Sequence, residues 1–217
     1  MAAALRILIN RWLNARAAKP LVFILALVPM GCLLFGAVTG QLGPNPAEAL
    51  VRSSGDWTLR FLCVALAVTP VRLSLGLAPL ARLRRMLGLF VFFYAALHFL
   101  AYSWLDKGME FPEIAVDIAK RPFILVGFVS LLLLSMLAAT SWNGAVRRLG
   151  ALRWQRLHRA VYLIAGLAIL HFFWMRAAKN NFEEVAVYGA ILGALLGWRV
   201  LHRWRSRSRQ PPPGRGS

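Results

Sequence analysis

Four histidines and two cysteines are the residues best able to bind a metal or carry a redox group: His98, His158, His171, His202, Cys32 and Cys63. The cysteines lie in apolar stretches with neither CxxC nor CxxCH spacing, which argues against a redox thiol pair and against a covalently attached c-type heme. They read as small buried hydrophobes. His202 stands among arginines and reads as a solvated or lipid-facing side chain. The other three histidines lie in or beside long apolar runs. Leu97-His98-Phe99-Leu100 and Leu170-His171-Phe172-Phe173 repeat one pattern, and His158 precedes His171 by 13 residues in RWQRLHRAVYLIAGLAILHFFWM, residues 153–175. On a helix that separation is roughly 20 Å.

A histidine inside a lipid span is a functional candidate, because an unpaired imidazole is costly there. Two neutral imidazoles from facing helices, at one depth and beside small or aromatic residues, can coordinate a heme iron from both sides. His98 and His171 meet the depth requirement, and Tyr94, Ala95, Phe99, Phe172 and Phe173 are the candidate walls. Two other readings stand beside this one: a histidine pair bonded to each other inside a bundle, and a proton path in a transporter. Transporters place more polar groups at midplane than this chain offers. His158 has Arg84 and Arg85 at the matching depth of the third span, not a histidine. On an ideal helix it also points roughly 140° away from His171. A bulge or kink near Gly166 would bring the two into line; otherwise His158 ligates a heme singly or touches another inner-side cofactor. No nucleophile triad, phosphate-binding glycine loop or dinucleotide fingerprint is present. The chain therefore reads as a conduit for electrons with no substrate-reducing site of its own. Lacking a dehydrogenase domain, it would have to take them from quinol or from a separate flavin reductase.

The elements that must position these residues follow from composition. Of 217 residues 59% are hydrophobic and 16% charged, against about 45–50% and about 25% in soluble domains. Six apolar stretches of the roughly 20 residues that span a bilayer can be drawn: 20–40, 57–77, 86–105, 122–140, 156–175 and 184–203. The expected fold is an all-α integral membrane protein, a six-transmembrane-helix bundle. Residues 1–19 form a basic cytoplasmic N-terminus, 20–203 the membrane domain, and 204–217 a disordered basic, Pro-rich tail. The first apolar run is too long for a typical secretory signal, so an uncleaved helix is expected.

The net charge of +18 would suggest nucleic acid in a soluble protein, but its distribution points to the lipid bilayer instead. With the N-terminus inside, nineteen of the 26 lysines and arginines fall on cytoplasmic segments and all eight acids fall on the other side. This bias sets both termini in the cytoplasm and leaves the basic face to anionic headgroups. The first and fourth spans read as scaffold, and QLGPNPAEALVRSSGD, residues 41–56, as a turn region. Arg60 either snorkels to the outer surface or partners an anionic cofactor group. The outer loop LDKGMEFPEIAVDIAKRP, residues 105–122, is the longest candidate docking surface.

The series RRMLGLF, FYAALHFLAYSW, DIAKRPFILVGF, TSWNGAVRRLG and RWQRLHRAVYLIAGLAILHFFW resembles the MsrQ (YedZ) family, the heme-binding membrane subunits of bacterial protein-methionine-sulfoxide reductases. These belong to the wider group of ferric-reductase-like transmembrane domains. The resemblance covers all six spans and is densest over residues 84–174. It implies a b-type heme protein of the bacterial inner (cytoplasmic) membrane. Such a protein passes electrons from the quinone pool, or from a cytosolic flavin reductase, to a periplasmic molybdopterin-containing catalytic subunit, MsrP, that repairs oxidised periplasmic proteins. It implies FMN as a further cofactor, and heme-linked histidines at His98, His158 and His171. The inner residues Arg82, Arg84, Arg85, Arg147 and Arg148 are candidate partners for the FMN phosphate, though positive-inside bias explains them equally. Two other readings remain: a ferric-reductase-like heme protein with another acceptor, and a non-heme transporter or scaffold.

Overall fold

An apolar helix satisfies its own backbone in lipid, and among the described residues the chain forms helices and no strand. The computed structural model describes residues 2–177, 180 and 182–208. Lys179 and residues 209–217, the greater part of the expected disordered tail, lie outside the described residues. Six segments are long and apolar enough to cross a membrane: Ala18–Val38, Pro46–Leu75, Arg84–Asp106, Pro122–Ala139, Ala151–Ala177 and Glu183–Ser206. Large apolar side chains such as Ile24, Phe35, Leu132 and Leu163 stay more than half exposed, as surfaces in contact with lipid do. The chain is a multi-pass membrane protein.

In chain order the helices are α1 (Ala2–Asn14), α2 (Ala18–Val38), α3 (Pro46–Leu75), α4 (Arg84–Ala101), α5 (Phe111–Lys120), α6 (Pro122–Ala139), α7 (Asn143–Leu149), α8 (Ala151–His158), α9 (Ala160–Ala177) and α10 (Glu183–Ser208). One end of the bundle carries Glu48, Asp106, Glu110, Asp117 and Glu184; the opposite end carries Arg72, Arg84, Arg85, Arg147 and Arg148. These are called the acidic and the basic end. α3 packs most extensively on α4, and α6 on α9, so two antiparallel hairpins form the centre.

Three boundaries differ from the sequence reading. α3 begins at Pro46, well inside the expected turn region. Asn45 accepts the Glu48 N–H at 3.1 Å, Pro46 takes the first helical position, and Arg52 pairs with Glu48 at 2.5 Å. This is a side-chain cap followed by a proline that needs no N–H. Gly76, in the left-handed region, ends the helix. The fifth apolar stretch is not one helix: it breaks at Arg159 between α8 and α9, and not at Gly166. α10 runs through Ser208, into the segment expected as tail.

Two prolines inside helices each remove the usual partner of the carbonyl four residues earlier, and a side chain bonds the backbone beside each. Arg199 donates Nη2 to the Leu66 carbonyl, four residues before Pro70, at 2.5 Å. Beside Pro29, the fully buried Tyr94 hydroxyl donates to the Ala26 carbonyl at 2.8 Å and accepts the Met30 N–H at 3.1 Å.

Candidate functional site

His98 on α4 and His171 on α9 point at each other across the bundle. Their ring centres are 6.2 Å apart and their planes 78° from parallel. Each ring is fixed from behind by a backbone carbonyl: Nδ1 of His98 lies 2.8 Å from the Val51 oxygen, and Nδ1 of His171 lies 2.6 Å from the Phe123 oxygen. A carbonyl only accepts, so both Nδ1 atoms carry the proton and both Nε2 lone pairs are free. Metal-ligating histidines are held in this way. Two imidazoles bonded to one iron at about 2 Å each would place their centres about 6 Å apart, which is the spacing found.

Each ring also has a glycine seat. A Cβ at Gly55 would stand 3.1 Å from His98 Nδ1, and one at Gly127 would stand 2.9 Å from His171 Nδ1. Gly55 follows Val51 by four residues and Gly127 follows Phe123 by four. In a helix the side chain at i+4 shields the carbonyl of residue i, so glycine there opens the path to it. The fourth apolar stretch, read from sequence as scaffold, therefore supplies the His171 seat.

The two rings face a cavity of about 500 Å³, large enough for a cofactor-sized ligand. Ala95, Phe99 and Phe172 line it as expected. Tyr94 and Phe173 do not: Tyr94 turns to α2, and Phe173 stacks on Phe182 at 5.5 Å. Arg60 is not in the wall either. Its Nε donates to the Tyr188 hydroxyl at 3.1 Å and its guanidinium covers Trp57 at 4.6 Å.

At the acidic end the cavity meets the segment that joins α4 to α6. There Asp117 accepts from the Tyr102 hydroxyl at 2.6 Å and pairs with Lys107 at 3.2 Å and Arg121 at 2.9 Å. Burial alone would raise the Asp117 pKa, but the bonds from Tyr102 and Lys107 and the charge of Arg121 outweigh it and hold the carboxyl below its ordinary value.

A second cavity of about 610 Å³ lies toward the basic end. His158 lines it, with Trp154, Tyr162, Arg72, Arg84 and Arg85. The helix is interrupted at Arg159, between α8 and α9, and His158, the last residue of α8, reaches the interior. His158 is held differently from the other two: its Nε2 lies 3.1 Å from the Thr140 hydroxyl, and its ring stacks on Trp154 at 4.0 Å. No second histidine faces it. Leu62, Val91 and Leu134 line both cavities and are 1%, 2% and 6% exposed, so one layer of aliphatic side chains separates the two chambers. Outside them, His202 stacks on Trp198 at 4.8 Å, Cys32 is exposed and Cys63 is buried. Among the described residues no group of three histidine, cysteine or acidic side chains could hold a bare metal ion.

Residues 54–169 match the family described as ferric reductase like transmembrane component. The chain is 60% identical over 201 residues to the protein-methionine-sulfoxide reductase heme-binding subunit MsrQ of Polaromonas naphthalenivorans, covering 93% of this chain and 92% of that one. To the MsrQ of Herminiimonas arsenicoxydans it is 52% identical, over 88% of each chain. To that of Bordetella pertussis it is 50% identical, over 90% of this chain and 96% of the relative. No solved structure matches.

Proposed function

Because the chain belongs to the MsrQ family of protein-methionine-sulfoxide reductase heme-binding subunits, we propose that it carries electrons across the bacterial inner membrane on a b-type heme held by His98 and His171. The carrying observation is the facing pair: two imidazoles at iron-ligand spacing, each with Nδ1 donated to a helix carbonyl and Nε2 turned to a shared cavity. Bound there, a heme supplies a one-electron couple. The chain's part is to keep both imidazoles neutral and fixed, and to exclude water with Phe99, Phe172 and the aliphatic layer.

The basic end is cytoplasmic on the positive-inside rule, and the chamber at that end receives the electrons. His158 stands in its wall as the third heme-linked histidine. The surrounding arginines suit the carboxylates of a porphyrin or the phosphate of FMN. Quinol or a cytosolic flavin reductase supplies the electrons. The acceptor at the acidic, periplasmic end is the molybdopterin-containing subunit MsrP, which reduces methionine sulfoxide in oxidised proteins. Residues 20–203 carry this function as one membrane domain.

The protein in liposomes, reduced through the donor side, should be reoxidised when the periplasmic subunit and methionine sulfoxide are added together. Reoxidation by ferric iron but not by that pair would move the acceptor to another class. A wild-type protein without heme absorbance would leave only the transporter or scaffold reading. Pyridine hemochrome quantification and acid-released flavin fluorescence, each compared with His158→Ala, report which group His158 serves.

A further inference from the structure

The reading of the facing histidines as a heme site leaves open what binds the two propionate groups of the ring. The charged lining of that chamber is confined to its acidic end, where Glu48, Arg52, Asp56, Asp106 and Arg121 stand. At the opposite end the walls are Leu62, Val91, Leu134 and Ile164, none more than 6% exposed. Carboxylates turned toward that end would be buried without a donor, so the propionate edge must face the acidic end.

Two cations wait there, and each is fixed by the same helix start that fixes a histidine. Arg52 follows Val51, whose carbonyl holds His98; Arg121 precedes Phe123 by two residues, whose carbonyl holds His171. α3 and α6 both begin at the acidic end, and helical side chains lean toward the N-terminus, which carries the Arg52 guanidinium outward to the cavity mouth. Arg121 gives its Nε to Asp117 and Arg52 one Nη to Glu48. A guanidinium has five donors in a fork suited to carboxylates, so each arginine can take a second carboxylate while keeping its first. Arg60, the sequence candidate for an anionic cofactor group, is turned to Tyr188 and Trp57.

The geometry points to Arg52 and Arg121 as the residues that bind the two propionates, one from each central hairpin. The test uses the full-length protein made in a heme-deficient host and loaded with protoheme or with its dimethyl ester, in wild type, Arg52→Gln, Arg121→Gln and the double variant. Midpoint potential and the rate of heme transfer to apomyoglobin are read. With protoheme, each substitution should lower the potential, because a cation that favours the reduced site is gone, and should speed heme loss severalfold. With the ester, the variants should lose heme at the wild-type rate, since the groups the arginines bind are blocked, whatever the lost charge does to the potential. Equal acceleration of heme loss with both hemes, or none with either, would overturn the assignment. The low-spin spectrum of the ester-loaded variants reports an intact fold; should Arg121→Gln fail to assemble, Arg52→Gln decides alone. A wild-type protein that takes up no protoheme would instead bring down the heme reading, and the arginine assignment with it.

Discussion

A helix carbonyl is open to an outside side chain only where the residue four positions on leaves room. Val51 with Gly55 and Phe123 with Gly127 are two such places, and they set the direction of His98 and His171. Gly127→Ala brings a methyl to 2.9 Å from the His171 ring, closer than side chains tolerate, so the ring must turn and release its carbonyl. That variant should lose the low-spin bis-imidazole absorbance. Gly55→Ala, at 3.1 Å, should weaken it less; a visible and electron-paramagnetic-resonance spectrum of each protein checks the order. The repeated Leu-His-Phe pattern made the histidine pair legible in the sequence. The glycines were not legible, because nothing local says which helix faces which. Asp117 is a second matter of single residues. Its pKa is depressed in the folded protein, so its stabilisation is present at neutral pH and is lost as pH falls from the unfolded value, about 4, through the folded one. Asp117→Asn should cost about 1–3 kcal/mol at neutral pH. It should also flatten the acid limb of a thermal-stability profile measured in detergent.

At the scale of elements, the chamber depends on where helices start and bend. α3 reaches back to Pro46 because Asn45 caps it, and those extra turns carry Val51, Arg52 and Gly55. Reading Gly-Pro-Asn-Pro as a turn was sound for the first two residues and wrong after the cap, since proline is as favourable at the first helical position as in a turn. The break at Arg159 is likewise invisible to hydropathy, which runs smoothly from 160 onward; His158 is the last residue before it. The backbone beside the helix prolines depends on single side chains. Tyr94 serves both the Ala26 carbonyl and the Met30 N–H beside Pro29, one turn before His98. Tyr94→Phe should destabilise the protein by about 1–3 kcal/mol, the cost of buried backbone groups left without a partner. It should leave the absorbance spectrum unchanged, because Tyr94 does not line the chamber; a thermal melt beside a spectrum separates the two effects.

On the scale of the whole molecule, the protein is two chambers in series along the bundle, with three aliphatic side chains between them. Six spans, and the parting of acids and arginines to opposite ends, were legible because lipid demands length and apolarity of the spans and leaves charge to their ends. The chambers were not, since empty space between helices is a property of packing. Sidedness is tested by reporters fused after Ser217: a fluorescent protein should glow there and alkaline phosphatase should stay inactive, and the reverse pattern would invert the direction of electron flow. The central claim is the iron ligation itself. It is tested most directly by the reduced-minus-oxidised spectrum of the purified protein, with pyridine hemochrome quantification, beside His98→Ala and His171→Ala. The expected result is a low-spin b-type heme in wild type that either substitution removes or converts to high spin. A colourless wild type, or variants with an unchanged spectrum, would contradict it.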